Sequence, residues 1–218
     1  MIQDLSIIIP AAGQGERLGL GPKAMLVLAD RTLLHWLSAK ARSIASEVIV
    51  AVPPGCMETW ASECQNCRII EGGTTNLQSV ALLARSATLP WVMNLNVSMP
   101  FLSLDLIQAV ANAAKANDIA GAFLASDLPV AQLKDGVVSK LLSRHESGIA
   151  QGPNAYRREL LLSLIEVADA EDWRSQSFLE VAMRHGYPIS AVPGQKSHIK
   201  ITSPEDWIIA QQLTQHLL

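Results

Sequence analysis

Short runs of β-branched and aliphatic residues alternate along this chain with stretches whose apolar residues recur at helical spacing. That alternation restricts it to few architectures. Strands are expected at Ser6–Ile9, Glu47–Val52, Arg68–Ile70, Trp91–Leu95 and Ile119–Leu124, and helices at Thr32–Ile44, Asn76–Ala87, Ser103–Ala116 and Tyr156–Ala168. The first run is almost continuously apolar, which suits a central parallel strand covered on both faces. Strand followed by helix, repeated, predicts an α/β fold with a mostly parallel sheet flanked by helices. The rhythm breaks between Asp127 and Ala150. There LPVAQLKDGVVSKLL reads as two extended runs around Lys134, Asp135 and Gly136, and Asp-Gly is a strong hairpin signal. A hairpin arm projecting from the sheet is the expectation. Near the carboxyl end, strands are expected at Ile189–Val192 and His198–Ile201. A last helix should start at Ser203, where Ser-Pro-Glu-Asp supplies an N-cap, a proline at the first helical position and an acidic third position. With 218 residues, about half of them hydrophobic, and no linker or repeat, residues 1–218 read as a single domain carrying the arm at about 127–150.

The first strand runs into IIIPAAGQGERLGLGPKAML, a glycine-rich loop with two cations. Glycines there let main-chain N–H groups approach a ligand, and Arg17 and Lys23 bring positive charge to the same mouth, which is chemistry suited to phosphate. Two familiar phosphate motifs fail. Gly13, Gly15 and Gly19 are spaced G-x-G-x-x-x-G rather than G-x-G-x-x-G, and Pro22 rather than glycine precedes Lys23. The formal net charge of −3, without any long basic run, argues against nucleic acid and membrane surfaces as partners and for a small ligand. No apolar stretch reaches the roughly 18 residues of a membrane span, and the amino terminus lacks a basic leader region, so a cytoplasmic location is expected. The three cysteines, Cys56, Cys64 and Cys67, include one CxxC pair with no second pair to complete a zinc site, so they read as reduced thiols.

The longer string P-A-A-G-x-G-x-R-x-G-x-x-P-K, carried here by Pro10, Ala11, Ala12, Gly13, Gly15, Arg17, Gly19, Pro22 and Lys23, resembles the signature of the 2-C-methyl-D-erythritol 4-phosphate cytidylyltransferase family, among the sugar-alcohol-phosphate cytidylyltransferases. Gly72, Gly73, Ser79 and Val80 resemble that family's G-G-x-x-R-x-x-S-V motif, and PGQKSHIKITSPEDW resembles its N-I-K-I-T-x-P-E-D segment. The resemblance implies a Rossmann-like nucleotidyltransferase fold and transfer of a cytidylyl group from CTP to a polyol phosphate, with release of pyrophosphate. It assigns Arg17, Lys23 and Lys200 to the catalytic phosphate contacts. Nucleotide contacts fall to Ala11, Ala12, Gly13, Gly15, Gly73 and the Ser79 hydroxyl. Mg²⁺ would be carried mainly by the triphosphate. A homodimer through the arm is also implied, with Gln132 and Arg144 contacting the acceptor. In-line attack by a phosphate oxygen needs positioning and charge neutralisation rather than a general base, which accords with the lack of a His or Cys nucleophile constellation.

Several motif positions differ. Where the family reads H-D-A-A-R-P, this chain has Leu95, Asn96, Val97, Ser98, Met99 and Pro100, leaving Asn96 as the metal candidate. Asn76 stands where G-G-x-x-R places arginine, Gly152, Pro153 and Asn154 replace T-P-Q, and His198 replaces the asparagine before I-K-I-T. Two classes of function follow: a working cytidylyltransferase, for 2-C-methyl-D-erythritol 4-phosphate or another polyol phosphate such as ribitol 5-phosphate, or a non-catalytic nucleotide-binding relative.

Overall fold

A computed structural model describes residues 1–13, 19–173 and 177–216. The first strand, β1 (Ile2–Pro10), contains Ile7, Ile8 and Ile9, all fully buried. Ile7 and Ile9 enter one hydrophobic core and Ile8 the other. Side chains alternate across a strand, so a run apolar at every position is what two covered faces require.

A turn of 3₁₀ helix at Lys23–Met25 and a small hairpin, β2 (Val27–Leu28) with β3 (Arg31–Thr32), lead into α1 (Leu33–Ile44). The Thr32 hydroxyl accepts from the His35 N–H and caps that helix. The chain continues through β4 (Ala45–Val52), α2 (Met57–Trp60), β5 (Arg68–Glu71), α3 (Asn76–Ser86), β6 (Trp91–Asn94), α4 (Leu104–Asn117) and β7 (Ile119–Ala125). The arm is β8 (Val130–Lys134) and β9 (Val137–Leu142), a separate two-stranded sheet. Asp135 and Gly136 between its strands have φ of 50° and 78°, the left-handed pair that a tight Asp-Gly hairpin turn requires. Then come β10 (Gly148–Arg157), α5 (Arg158–Ala170), α6 (Phe178–Arg184), β11 (Ser190–Pro193) and α7 (Pro204–Gln212). A reciprocal pair between Ser203 and Asp206 caps α7 as the sequence indicates.

Among the described residues, seven strands form the central sheet in the order β11-β7-β10-β6-β1-β4-β5. Strand β10 runs antiparallel to both β6 and β7, and the other pairings are parallel. Helices α1, α4 and α7 bury apolar residues on one face, and α3, α5 and α6 on the other. The carboxyl ends of β1, β4, β5 and β6 therefore meet along one edge, where open α/β sheets place their ligands.

The structure corrects three sequence expectations. Strand β10 is absent from the sequence reading, which places the arm up to Ala150 and a helix from Tyr156; a glycine and a proline inside the strand, Gly152 and Pro153, oppose it locally. In the sheet, the register between β10 and β7 jumps between Ala150 and Asn154, and this bulge takes up both residues. The helix expected from Tyr156 accordingly starts at Arg158, and Tyr156 is a strand residue opposite Val92 and Ile119. The strand expected at His198–Ile201 is instead a turn segment, with the His198 N–H on the Gln195 carbonyl and the Ile199 N–H on the Ser197 carbonyl. The Ile199-Lys200-Ile201 alternation that suggests a strand is not the burial pattern: His198 and Ile201, three residues apart, are the buried ones.

Candidate functional site

The loop leaving β1 is held at its root by main chain. The Ala11 N–H donates to the Ala51 carbonyl at 2.8 Å, which continues strand pairing past Pro10, and Ala11 itself is buried in the core. Ala12 meets the loop after β5: a Cβ built on Gly72 would stand 2.5 Å from the Ala12 Cβ and 3.0 Å from the Ser79 Oγ. Only glycine lets these two loops approach so closely. Gly13 opens into unobstructed space. Further along the loop, Gly19 and Gly21 take φ of 69° and 87°, so both need glycine for their backbone conformation. Gly15 and Arg17 lie outside the described residues.

The loop after β5 is fastened to the first turn of α3. The Gly73 N–H donates to the Ser79 Oγ at 3.1 Å, and that hydroxyl donates to the Thr75 carbonyl at 3.0 Å. Gln78 gathers the same loop from the other side, its Oε1 accepting from the Thr74 N–H and hydroxyl while Thr75 caps the helix. Ser79 is 2 % exposed, so its direct work is to set the Gly72–Gly73 backbone. Thr74, Thr75 and Gln78 escaped the sequence reading, although T-T-N-L-Q is legible as a capping box.

The third component is the segment before α7. Lys23 Nζ donates to the Ile201 carbonyl at 2.7 Å, joining the glycine loop to the residue next to Lys200. The Ile201 N–H donates to the Ser98 carbonyl at 2.8 Å, which ties in the loop after β6. Residues far apart in sequence thus converge on one mouth: the 11–13 and 23 positions, the 72–79 loop, the 96–99 turn and the 198–201 segment. Lys200 is exposed beside them. Gln132 lies in β8 opposite Lys140, and Arg144 follows the arm with its Nε 3.4 Å from the His145 Nε2. Among the described residues, neither is hydrogen-bonded to the mouth of its own chain.

Two departures from the family motif have plain structural consequences. Asn96 makes a tight turn, its Oδ1 accepting from the Ser98 N–H at 3.0 Å and the Ser98 hydroxyl at 2.7 Å. That oxygen is already engaged twice, and no group of three or more His, Cys, Asp or Glu gathers among the described residues. The donor set does not fit a protein-held Mg²⁺, which prefers carboxylate oxygens and water. Met99 is buried, its N–H on the Asn96 carbonyl at 2.9 Å. His198 is buried too. Burial lowers its pKa to about 4 and keeps the imidazole neutral, with the Gly152 carbonyl as a partner. The Gln151 side chain locks this segment, donating to the Gln195 and His198 carbonyls at 2.8 Å each. Away from the mouth, burial pushes the Cys64 and Cys67 thiols up to about 11, so both are neutral thiols at ordinary pH.

Comparison with known proteins agrees with this geometry. The profile of 2-C-methyl-D-erythritol 4-phosphate cytidylyltransferase matches residues 5–216. The enzyme of that name from Thermus thermophilus is 33% identical over 217 residues, covering 96% of this chain and 97% of its own. Its namesake from Deinococcus radiodurans is 33% identical over 210 residues, covering 96% and 89%. A crystal structure of the Thermus thermophilus enzyme superposes with a TM-score of 0.82 at 32% identity, over 96% of this chain and 98% of that one. That of 4-diphosphocytidyl-2C-methyl-D-erythritol synthase from Anaerococcus prevotii, at 22% identity and a TM-score of 0.86 over 97% and 98% of the two chains, shares the fold. With the glycine loop, the G-G motif and the I-K-I-T segment brought to one mouth of a matching sheet, this chain belongs to the 2-C-methyl-D-erythritol 4-phosphate cytidylyltransferase family.

Proposed function

We propose that this protein transfers a cytidylyl group from CTP to 2-C-methyl-D-erythritol 4-phosphate. A phosphate oxygen of the acceptor forms a bond to the α-phosphorus of CTP, and the bond from that phosphorus to the bridging oxygen breaks to release pyrophosphate. The observation that carries this reading is the Lys23 to Ile201 contact, which sets two phosphate-binding motifs against each other across the mouth. On this reading the glycine loop, with Gly13, Gly15, Arg17 and Lys23, cradles the triphosphate. The backbone of Ala11, Ala12 and Gly73, shaped by Ser79, holds the cytidine. Lys200 offsets charge where the two phosphates are pressed together. The nucleotide enters as its Mg²⁺ complex, so the ion belongs to the substrate. The chain acts as one domain and as a homodimer, its arm bringing Gln132 and Arg144 to the acceptor in the partner's mouth. The exposed Leu128, Leu133 and Leu141 support such a use of the arm. Its setting is the cytoplasm; among the described residues no helix is long and apolar enough to cross a membrane.

The test is pyrophosphate release with each of the four common NTPs, Mg²⁺ and a panel of polyol phosphates. Release that requires CTP and 2-C-methyl-D-erythritol 4-phosphate together supports the proposal. Release with ribitol 5-phosphate alone would move the acceptor. CTP binding without any release would make the chain a non-catalytic relative.

A further inference from the structure

Beside the mouth, between α3 and the β6–β10 pair, lies a cavity of about 20 Å³ whose polar lining includes three asparagines, Asn76, Asn94 and Asn154. They come from three elements: the first residue of α3, the last of β6 and the middle of β10. Asn94 and Asn154 are direct partners across the antiparallel strands, so their side chains share a face. Tyr156 and Val80 form apolar walls. The Asn154 Oδ1 sits 2.8 Å from where a Cβ on Gly121 would be, so glycine in the neighbouring strand makes room for this amide. The Asn94 Oδ1 is buried without a hydrogen-bond partner. Reversing that amide would only exchange one polar atom for another in the same place.

A buried carbonyl without a partner is unfavourable, and native interiors commonly relieve it with water. The cavity passes the size requirement for one water, about 10–15 Å³, and is too small for a nucleoside or a phosphate. The described residues that line it are uncharged, which favours a guest that both donates and accepts. We propose that one ordered water occupies this cavity, hydrogen-bonded to the Asn94 Oδ1 and to the amides of Asn76 and Asn154. We assign to this hub the task of tying the first turn of α3 to the end of β6. Those are two walls of the mouth: α3 follows the Gly72–Gly73 loop, and β6 ends two residues before Asn96. The water-bridged amides span the place where the family motif puts one long side chain, at Asn76. The hub positions groups for the proposed transfer and so rests on that reading, but its own test does not need turnover.

The experiment is a high-resolution crystal structure of the full chain and of Asn94→Val, with amide hydrogen exchange on both. The parent should show one water within roughly 2.7–3.2 Å of the Asn94 amide. A cavity without water density, or amides bonded directly to one another, would overturn the site. In Asn94→Val the water should be gone with the carbonyl that anchors it, while the apolar side chain keeps the cavity filled. Exchange in the first turns of α3 should nevertheless speed up at least about threefold, and Asn94→Ser, which keeps a polar partner, should restore part of the protection. Unchanged exchange in Asn94→Val would overturn the positioning role. If the parent is active, Asn94→Val should raise the KM for CTP more than it lowers kcat. A parent without activity would defeat the functional reading, while density and exchange would still decide this one.

Discussion

His198 shows how one residue can mark the site with a solution property. An exposed histidine titrates near 6.5, whereas burial holds His198 at about 4. Between those values the unfolded chain binds more protons than the folded one. Stability from the neutral imidazole is therefore full above about 6.5 and is lost as pH falls through about 4. The difference amounts to something on the order of 3 kcal/mol. Urea unfolding at about pH 7 and about pH 4.5 should show this loss, and His198→Asn, which restores the family motif residue, should flatten the slope across that window. Lys23 works through charge. Lys23→Ala should weaken CTP binding in calorimetry at least about tenfold, because a hydrogen bond to a charged group contributes about 1.5–3 kcal/mol. Undiminished affinity would remove the phosphate-cradle assignment.

Among the elements, the turn after β6 carries the sharpest departure from the family pattern. Asn96 is exposed and Met99 buried three residues on in the same turn, so a carboxylate at 96 would meet solvent while a guanidinium at 99 would start from the interior. Met99→Arg alone should lower the melting temperature, since an unpaired guanidinium enters the interior. Together with Asn96→Asp, the two charges can pair, and turnover of CTP with 2-C-methyl-D-erythritol 4-phosphate should rise at least about tenfold, which one interaction of about 1.4 kcal/mol supplies. A folded double variant that binds CTP as the parent does without any gain would show that this site uses a different acceptor or does not turn over. The G-G loop makes the complementary point. Its motif is plain in the sequence, but the role of the Ser79 hydroxyl toward its own backbone emerges only once α3 is seen to begin directly behind it.

The whole molecule divides into a sheet that is buried on both faces and an arm that is not. Leu128, just before the hairpin, and Leu141, within it, are 73% and 68% exposed, and among the described residues the hairpin strands pair only with each other. Deleting Leu128–Leu142 should convert a dimer to a monomer in sedimentation while leaving the circular dichroism of the sheet and helices intact. A full-length protein that sediments as a monomer would defeat the arm-mediated pairing.

What the sequence determined by itself is whatever local periodicity and local chemistry encode. The strands β1, β4, β5, β6 and β7, the helices α1, α3 and α4, the Asp-Gly turn of the arm and the cap of α7 all follow from side-chain spacing and backbone preference within a few residues. The glycine loop and the I-K-I-T segment were legible as motifs for the same reason. Only the tertiary structure decided the rest. Gly148–Arg157 is a strand because β6 and β7 offer it edges on both sides, despite a glycine and a proline that locally oppose one. Ile199, Lys200 and Ile201 alternate like a strand in the sequence, yet among the described residues the segment has no strand partner, and the Ile201 N–H goes to the Ser98 carbonyl in the loop after β6. The site itself depends on a 2.7 Å hydrogen bond between residues 23 and 201. No local preference specifies such a contact, because it exists only where packing of the two cores brings distant loops to the same edge of the sheet.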